Sequence, residues 1–227
     1  MFVVVEGIDG AGKGTVVRRV DQALTALNLT TAAVSFPMYA ATTYGRLIGR
    51  YLNGEFGEMS HPYLHGTLYA VDRLEARGYL RDLIAHRDVV ISDRYVSSNL
   101  CYSAVKAKPE LRDEVARHFS MFEFYTLEAS KPDLHVFLDM PVDFAVKNVA
   151  KKEKRVYTDR PEDILEADHA FLADVRKFYV EELNQYLPES VRTGVVECVR
   201  DGVLRSVEDI SAEVVKLILD VRNTRLS

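Results

Sequence analysis

The sequence has only two cysteines, Cys101 and Cys198, and they form no metal-ligand or redox spacing. That excludes a cysteine-based metal or redox site and points to the reducing cytoplasm. No apolar run is long enough to span a bilayer. The N-terminus has no basic start, and Glu6 and the glycines after it interrupt its apolar stretch, so no targeting segment is expected. There is no excess of positive charge either. The 29 Lys and Arg against 34 Asp and Glu leave a net charge of -5, which gives no reason to expect a nucleic-acid or membrane partner. Repeats, low-complexity tracts and linkers are also missing. With 48% hydrophobic residues the chain has ample material for one core, and a single domain over 1–227 is expected.

Short apolar runs alternate with helical periodicities along the chain. FVVVE (2–6) is β-branched and apolar, as a buried parallel strand requires. Further strands are expected at 32–36, closed by Pro37, and at 88–93, 133–139 and 195–199. A helix is expected over 15–28, with Val16, Val20, Leu24 and Leu27 on one face. Others are expected at 43–53, ended by Gly54, and over 60–86, with Leu64, Leu68 and Val71 at helical spacing. Helical segments follow at 97–106 and 109–128, after Pro141, and at 206–221. The alternation predicts an α/β fold, a five-stranded parallel sheet flanked by helices on both faces with right-handed crossovers. In such sheets ligands bind beyond the carboxyl ends of the strands, so the polar residues just after each strand matter most.

After the first expected strand comes GIDGAGKGT (7–15), which combines Gly7, Gly10 and Gly12 with Asp9, Ala11, Lys13, Gly14 and Thr15. A glycine-rich loop between strand and helix lets backbone N–H groups converge on a phosphate at the positive end of a helix dipole. Lys13 would act as a point charge on the transferable phosphates of a nucleotide. A plain glycine turn is the alternative. What the loop lacks is the hydroxyl that usually follows the lysine. Gly14 stands there, and Thr15 comes one place late. Magnesium would then be held by nucleotide oxygens, waters and a carboxylate, with Thr15, Asp93 and Asp9 the nearby candidates. A carboxylate aimed into a phosphate cradle would be repelled, so Asp9 is expected to face a second substrate or a metal.

SDRYVSSNLCY (92–102) begins where the third strand should end. There Asp93 could orient a metal-bound water and Arg94 could clamp a phosphate in a bidentate way. Ser98 and Tyr102, with Asn99 beside them, give one helix face two hydroxyls and an amide, suited to a base edge or sugar. Tyr69 and Arg73 also share a helix face, a ring to stack on a planar base and a guanidinium to donate to a carbonyl. FPMY (36–39) adds Phe36 and Tyr39 at the same end of the sheet. Taken alone, each of these has a bland explanation, a local salt bridge or a core tyrosine. The stretch 149–169 is basic, with Lys151, Lys152, Lys154, Arg155 and Arg160 ahead of Pro161, and is expected to be a lid over 149–162. A solvated charge run is its alternative.

Together these residues resemble the thymidylate kinase family, and the resemblance runs to about residue 200. EGIDGAGKGT, FPMY, YAVDR, DRYVSSNLCY, FLDMP and the basic segment stand in the family's order, and DRY with its Ser-Ser-Asn and Tyr is the most specific element. The resemblance implies a P-loop nucleotide kinase fold with a short basic lid, and transfer of the γ-phosphoryl of ATP to dTMP with Mg²⁺. It implies that Lys13 binds donor phosphates, that Arg94 holds the acceptor phosphate and that Asp9 faces the acceptor. Phe36 and Tyr69 would pack on thymine, Arg73 and Asn99 would read its polar edge, and Tyr102 would crowd a 2′-hydroxyl. Arg155 and Arg160 would be lid arginines, and Asp163 and Glu166 would approach the acceptor from the lid helix. A homodimer built on helix faces is also implied. The chain departs from the family at Gly14 and in mixing lysines into the lid. The rival readings are a kinase acting on another monophosphate or on a deoxynucleoside, and a nucleotide-dependent switch. A nucleoside acceptor would need a general base near a hydroxyl, whereas a monophosphate already carries its nucleophilic oxygen and needs a clamp.

Overall fold

A computed structural model describes residues 1–57, 61–149 and 169–226. Five strands form one parallel sheet in the order β2-β3-β1-β4-β5: β1 (Phe2–Glu6), β2 (Thr31–Ser35), β3 (Val89–Asp93), β4 (Leu134–Asp139) and β5 (Arg192–Glu197). β1 lies at the centre, with Val3 opposite Ile91 on one side and Leu134 on the other. Every residue of β1 is buried, which is why its sequence is continuously apolar up to Glu6. The edge strands β2 and β5 are partly exposed and correspondingly less apolar. From β1 the chain runs out to the edge strand β2, returns to β3 between them, and then crosses past β1 to β4 and β5 on the other side. The reversal of direction therefore falls at the carboxyl end of β1, where an open parallel sheet has its crevice.

Helices cover the sheet. α1 (Lys13–Ala26) packs with the terminal α9 (Val207–Leu226), α1 reaching β1, β2 and β3 while α9 reaches β4 and β5. α2 (Thr43–Leu52), α3 (Pro62–Glu75), α5 (Val96–Lys106), α6 (Arg112–Met121) and α8 (His169–Glu181) pack against one another in a second helical group. α4 (Arg77–His86) and α7 (Val142–Val149) are the remaining α-helices among the described residues, which also include a short antiparallel hairpin of β6 (Val199–Arg200) and β7 (Val203–Leu204) that the sequence pattern did not signal. Among the described residues no helix is long and apolar enough to cross a membrane.

Several expected elements need correction. The helix expected over 60–86 is two helices, α3 and α4, that meet at Ala76. The residues whose spacing signalled the helix do not mark its inner face: Leu64 is 64% exposed, while His65, Asp72 and Arg73 are buried. The segment expected as helix over 109–128 is a 3₁₀ turn at Pro109–Leu111, then α6, then a π-helical turn at Phe122–Thr126. α1 ends at Ala26, which leaves Leu27 outside the helix and 53% exposed instead of on its buried face.

Candidate active site

The loop between β1 and α1 is packed against α7. At Gly10, with φ +84°, an added Cβ would fall 2.1 Å from the Ala145 carbonyl oxygen, so only glycine lets the two backbones approach so closely. Asn148 closes the same contact by donating its amide to the Gly10 carbonyl at 3.0 Å. The buried Lys13 Nζ donates to the carbonyls of Gly7 and Ile8, each at 3.0 Å, which holds the ammonium over the loop. A cleft opens beside it, lined by Gly12, Lys13, Gly14, Thr15 and Asp93 among others.

The structure gives Gly14 a physical role. A Cβ there would stand 3.1 Å from Asp93 Oδ2, so a serine or threonine would press on that carboxylate. Glycine leaves it in place at the mouth of the phosphate loop. The oxygens bordering this cleft, from Asp93, Asp9 and Thr15, are hard donors. No group of three or more His, Cys, Asp or Glu is gathered for a metal among the described residues. This donor set fits magnesium, which commonly takes one or two carboxylates and fills its shell with phosphate oxygens and water.

A second cleft adjoins the first. Its lining includes Asp9, Phe36, Tyr39, Tyr69, Arg73, Arg94, Ser98, Asn99 and Tyr102, so every acceptor-side residue expected from the sequence within the described residues is found in it. Asp9, Phe36, Tyr39 and Arg94 line both clefts and form their common wall. Arg94 is the centre of that wall. Its backbone lies in the left-handed region at φ 66°, unusual for a residue with a side chain and typical of strain held at a functional site. Its guanidinium donates to Asp9 Oδ1 at 2.5 Å and to Ser98 Oγ at 2.9 Å. The other oxygen of Asp9 accepts from the Tyr102 hydroxyl at 2.7 Å. Burial works against the Arg94 charge, but Asp9, together with Tyr102, Tyr179 and Glu6, more than offsets it and holds the guanidinium firmly protonated. Burial, then the nearby Asp9, raises the Tyr102 phenol well above its ordinary value, so it stays a donor.

Three carboxylates that the sequence reading missed support these residues. Glu6 is fully buried and accepts from the Tyr95 N–H at 2.8 Å, the Ser98 hydroxyl at 2.6 Å and the Tyr179 hydroxyl at 2.9 Å. It thereby seats the start of α5 and, through Ser98, the Arg94 fork. Its signal was legible: a lone carboxylate ending an otherwise apolar strand. Asp72, also fully buried, accepts from the Met38 N–H at 3.1 Å and from the Thr42 hydroxyl, which fixes the loop that carries Phe36 and Tyr39. Burial raises its carboxyl, against the pull of those bonds. Glu123 holds Arg73 and Asn99. His65 lies buried in the lining of the acceptor cleft, where desolvation lowers it to about 3 and keeps the ring neutral. On the far side of the loop, Asp139 at the end of β4 takes a two-point contact from Arg176 of α8 at 2.6 and 2.9 Å. The lid expected over 149–162, with Arg155 and Arg160, and the expected Asp163 and Glu166 lie outside the described residues, except for Val149 at its start.

The profile of the family described as thymidylate kinase matches residues 5–198 of this chain. The chain belongs to the thymidylate kinase family. With the family comes the enzyme class, an ATP-dependent nucleoside monophosphate kinase. The thymidylate kinase of Mycobacterium tuberculosis (strain CDC 1551 / Oshkosh) is 36% identical over 146 residues, covering 64% of this chain and 68% of that protein. That of Desulforudis audaxviator is 29% identical over 182 residues, covering 80% and 76%. The structure of thymidylate kinase from Candida albicans superposes with a TM-score of 0.72 at 19% identity, covering 98% of this chain and 92% of that one, a likeness of fold.

Proposed function

We propose that the protein transfers the γ-phosphoryl of ATP to dTMP, giving dTDP and ADP, with phosphoryl passage across the wall that the two clefts share. The observation that carries this reading is the position of Asp9 and Arg94, which border the phosphate-loop cleft and the aromatic cleft alike. An oxygen of the acceptor phosphate attacks the γ-phosphorus, and the bond to the β-phosphate oxygen breaks as ADP leaves. Arg94 holds and neutralises the acceptor phosphate, while Lys13 and the loop N–H groups from Gly7 to Thr15 hold the donor phosphates. Phe36 and Tyr69 pack on the pyrimidine, Arg73 and Asn99 read its edge, and Tyr102 crowds the 2′ position. Magnesium, held by Asp93 with Thr15 or Asp9 nearby, would neutralise charge on the bridging phosphates. Arg155, Arg160, Asp163 and Glu166 belong to the same reading, as do a cytoplasmic location and a homodimer.

A panel of monophosphates with ADP readout tests the substrate. Turnover of dTMP should exceed that of AMP and CMP by at least about 10²-fold, because a site built on hydrogen bonds to the base edge rejects a mismatched edge strongly. UMP presents the same edge as dTMP and should also turn over more slowly, through the 2′-hydroxyl that Tyr102 crowds and the missing methyl group. A preference for any ribonucleotide would overturn the assignment.

A further inference from the structure

We propose that Glu123 is a positioning residue that sets the hydrogen-bonding polarity at the base-reading end of the acceptor cleft, and with it the choice of a keto over an amino pyrimidine. The proposal rests on the reading of that cleft as the dTMP site. Glu123 itself does not line the cleft and its side chain is 1% exposed, so it acts only through the residues it holds.

The case is one of counting donors and acceptors. The Glu123 carboxylate accepts from Arg73 Nε at 2.5 Å and from the same guanidinium's terminal nitrogen at 2.6 Å. It also accepts from Asn99 Nδ2 at 2.7 Å, and the second hydrogen of that amide goes to the Gly66 carbonyl at 2.9 Å. Both neighbours of Nδ2 are pure acceptors, so the opposite flip of the amide, with Oδ1 against them, is forbidden electrostatically. Asn99 therefore has no hydrogen left to donate. Its Oδ1 takes the Ser103 hydroxyl at 3.1 Å and keeps one lone pair. Arg73 has given Nε–H and one terminal N–H to Glu123, and the rest of its fork can only donate. The lining thus offers a donor from Arg73 and an acceptor from Asn99.

A keto pyrimidine carries a carbonyl at C4 beside an N–H at N3, which complements that pair. An amino pyrimidine carries an NH₂ beside a bare ring nitrogen, which opposes it at both atoms. The local backbone is built for this contact. Glu123 stands in the π-helical turn after α6, where the Leu127 N–H reaches back to the Phe122 carbonyl at 2.8 Å. Such turns often mark functional positions in otherwise regular helices.

Glu123→Gln keeps the volume but replaces one acceptor oxygen by a donor, which releases the Asn99 flip and removes the counter-charge of Arg73. The probe is 5-methyl-dCMP, which keeps the methyl group of dTMP and differs at the N3 and C4 edge. The ratio of kcat/KM for dTMP over 5-methyl-dCMP should fall at least about 10-fold, chiefly through KM for dTMP, with KM for ATP unchanged. A ratio that stays the same while stability and all rates fall together would mean a purely structural role and would overturn the proposal. If Glu123→Gln fails to fold, Glu123→Asp takes its place. It keeps the charge but withdraws the carboxylate by one methylene, and it should lower the ratio as well; an unchanged ratio in the folded Asp variant is again fatal. Wild-type preference for dTMP in the monophosphate panel separates this outcome from failure of the functional reading itself.

Discussion

Arg94 stands in a backbone region that few side chains adopt, and it is held there from two directions. Glu6 fixes Ser98, Ser98 and Asp9 fix the guanidinium, and Tyr102 fixes Asp9. A fork locked in this way meets an incoming phosphate without reorganising, which is where electrostatic catalysis gains most. Arg94→Ala should therefore lower kcat/KM for dTMP by about 10²-fold or more while KM for ATP changes little. Lys13→Ala should fail on the donor side instead. Steady-state kinetics with each substrate varied in turn separates the two, and an Arg94→Ala enzyme with unchanged turnover and unchanged KM for dTMP would refute the assignment. At this scale most of the cleft lining was legible, because Arg94 directly follows a strand and Asn99 and Tyr102 come at helical spacing on the helix after it. Glu123 was not legible. It lies 50 residues from Arg73 in the chain and carries no local motif, so only the packing of α3 against α5 and α6 brings it into reach.

At the scale of elements, α3 shows what periodicity sees and what it misses. The spacing of Leu64, Leu68 and Val71 correctly signals a helix, but the face turned to the interior carries His65, Asp72 and Arg73. Hydrophobic pattern assigns the apolar face to the core by default, and a helix that walls a polar site inverts the rule. The phosphate loop shows the opposite case, an element whose sequence and geometry agree. Its requirement at Gly10 is steric, since the Ala145 carbonyl is backbone and cannot swing away. Gly10→Ala should cost about 3 kcal/mol from crowding and backbone strain combined. For a chain of this size that is a fall of roughly 6–12 °C in Tm. Gly78→Ala is the control, because an added Cβ there meets nothing in α4. It should be neutral or slightly stabilising in the same melting experiment, and equal Tm values for the two variants would contradict the packing argument.

The whole molecule carries a titration that no single site explains. His65 and His135 are both buried, and desolvation lowers them from 6.5 to about 3 and about 4. Each folded value lies below the unfolded one, so on acidification the unfolded chain takes up the proton first. The stability these rings contribute is complete above about pH 6.5 and is lost as the pH falls toward the folded values. By pH 5 the loss should reach about 2 kcal/mol for each ring. Urea denaturation of the wild type and of His135→Gln at pH 7 and pH 5 measures it. The variant should lose about 2 kcal/mol less across that interval than the wild type, and an equal loss would show that His135 is not the group being titrated.

The sequence by itself determined the alternation of strands and helices, the parallel sheet, the phosphate loop and most of the side chains that line the clefts. These are local properties, set by apolar runs, by glycines and by which residues follow a strand. Only the tertiary structure decided that α3 turns a polar face inward, that Gly14 leaves room for Asp93, and that Glu6, Asp72 and Glu123 hold the site from behind. Each of those depends on groups far apart in the chain meeting in a buried, low-dielectric place, where an unpaired charge is expensive and every carboxylate must find its donors.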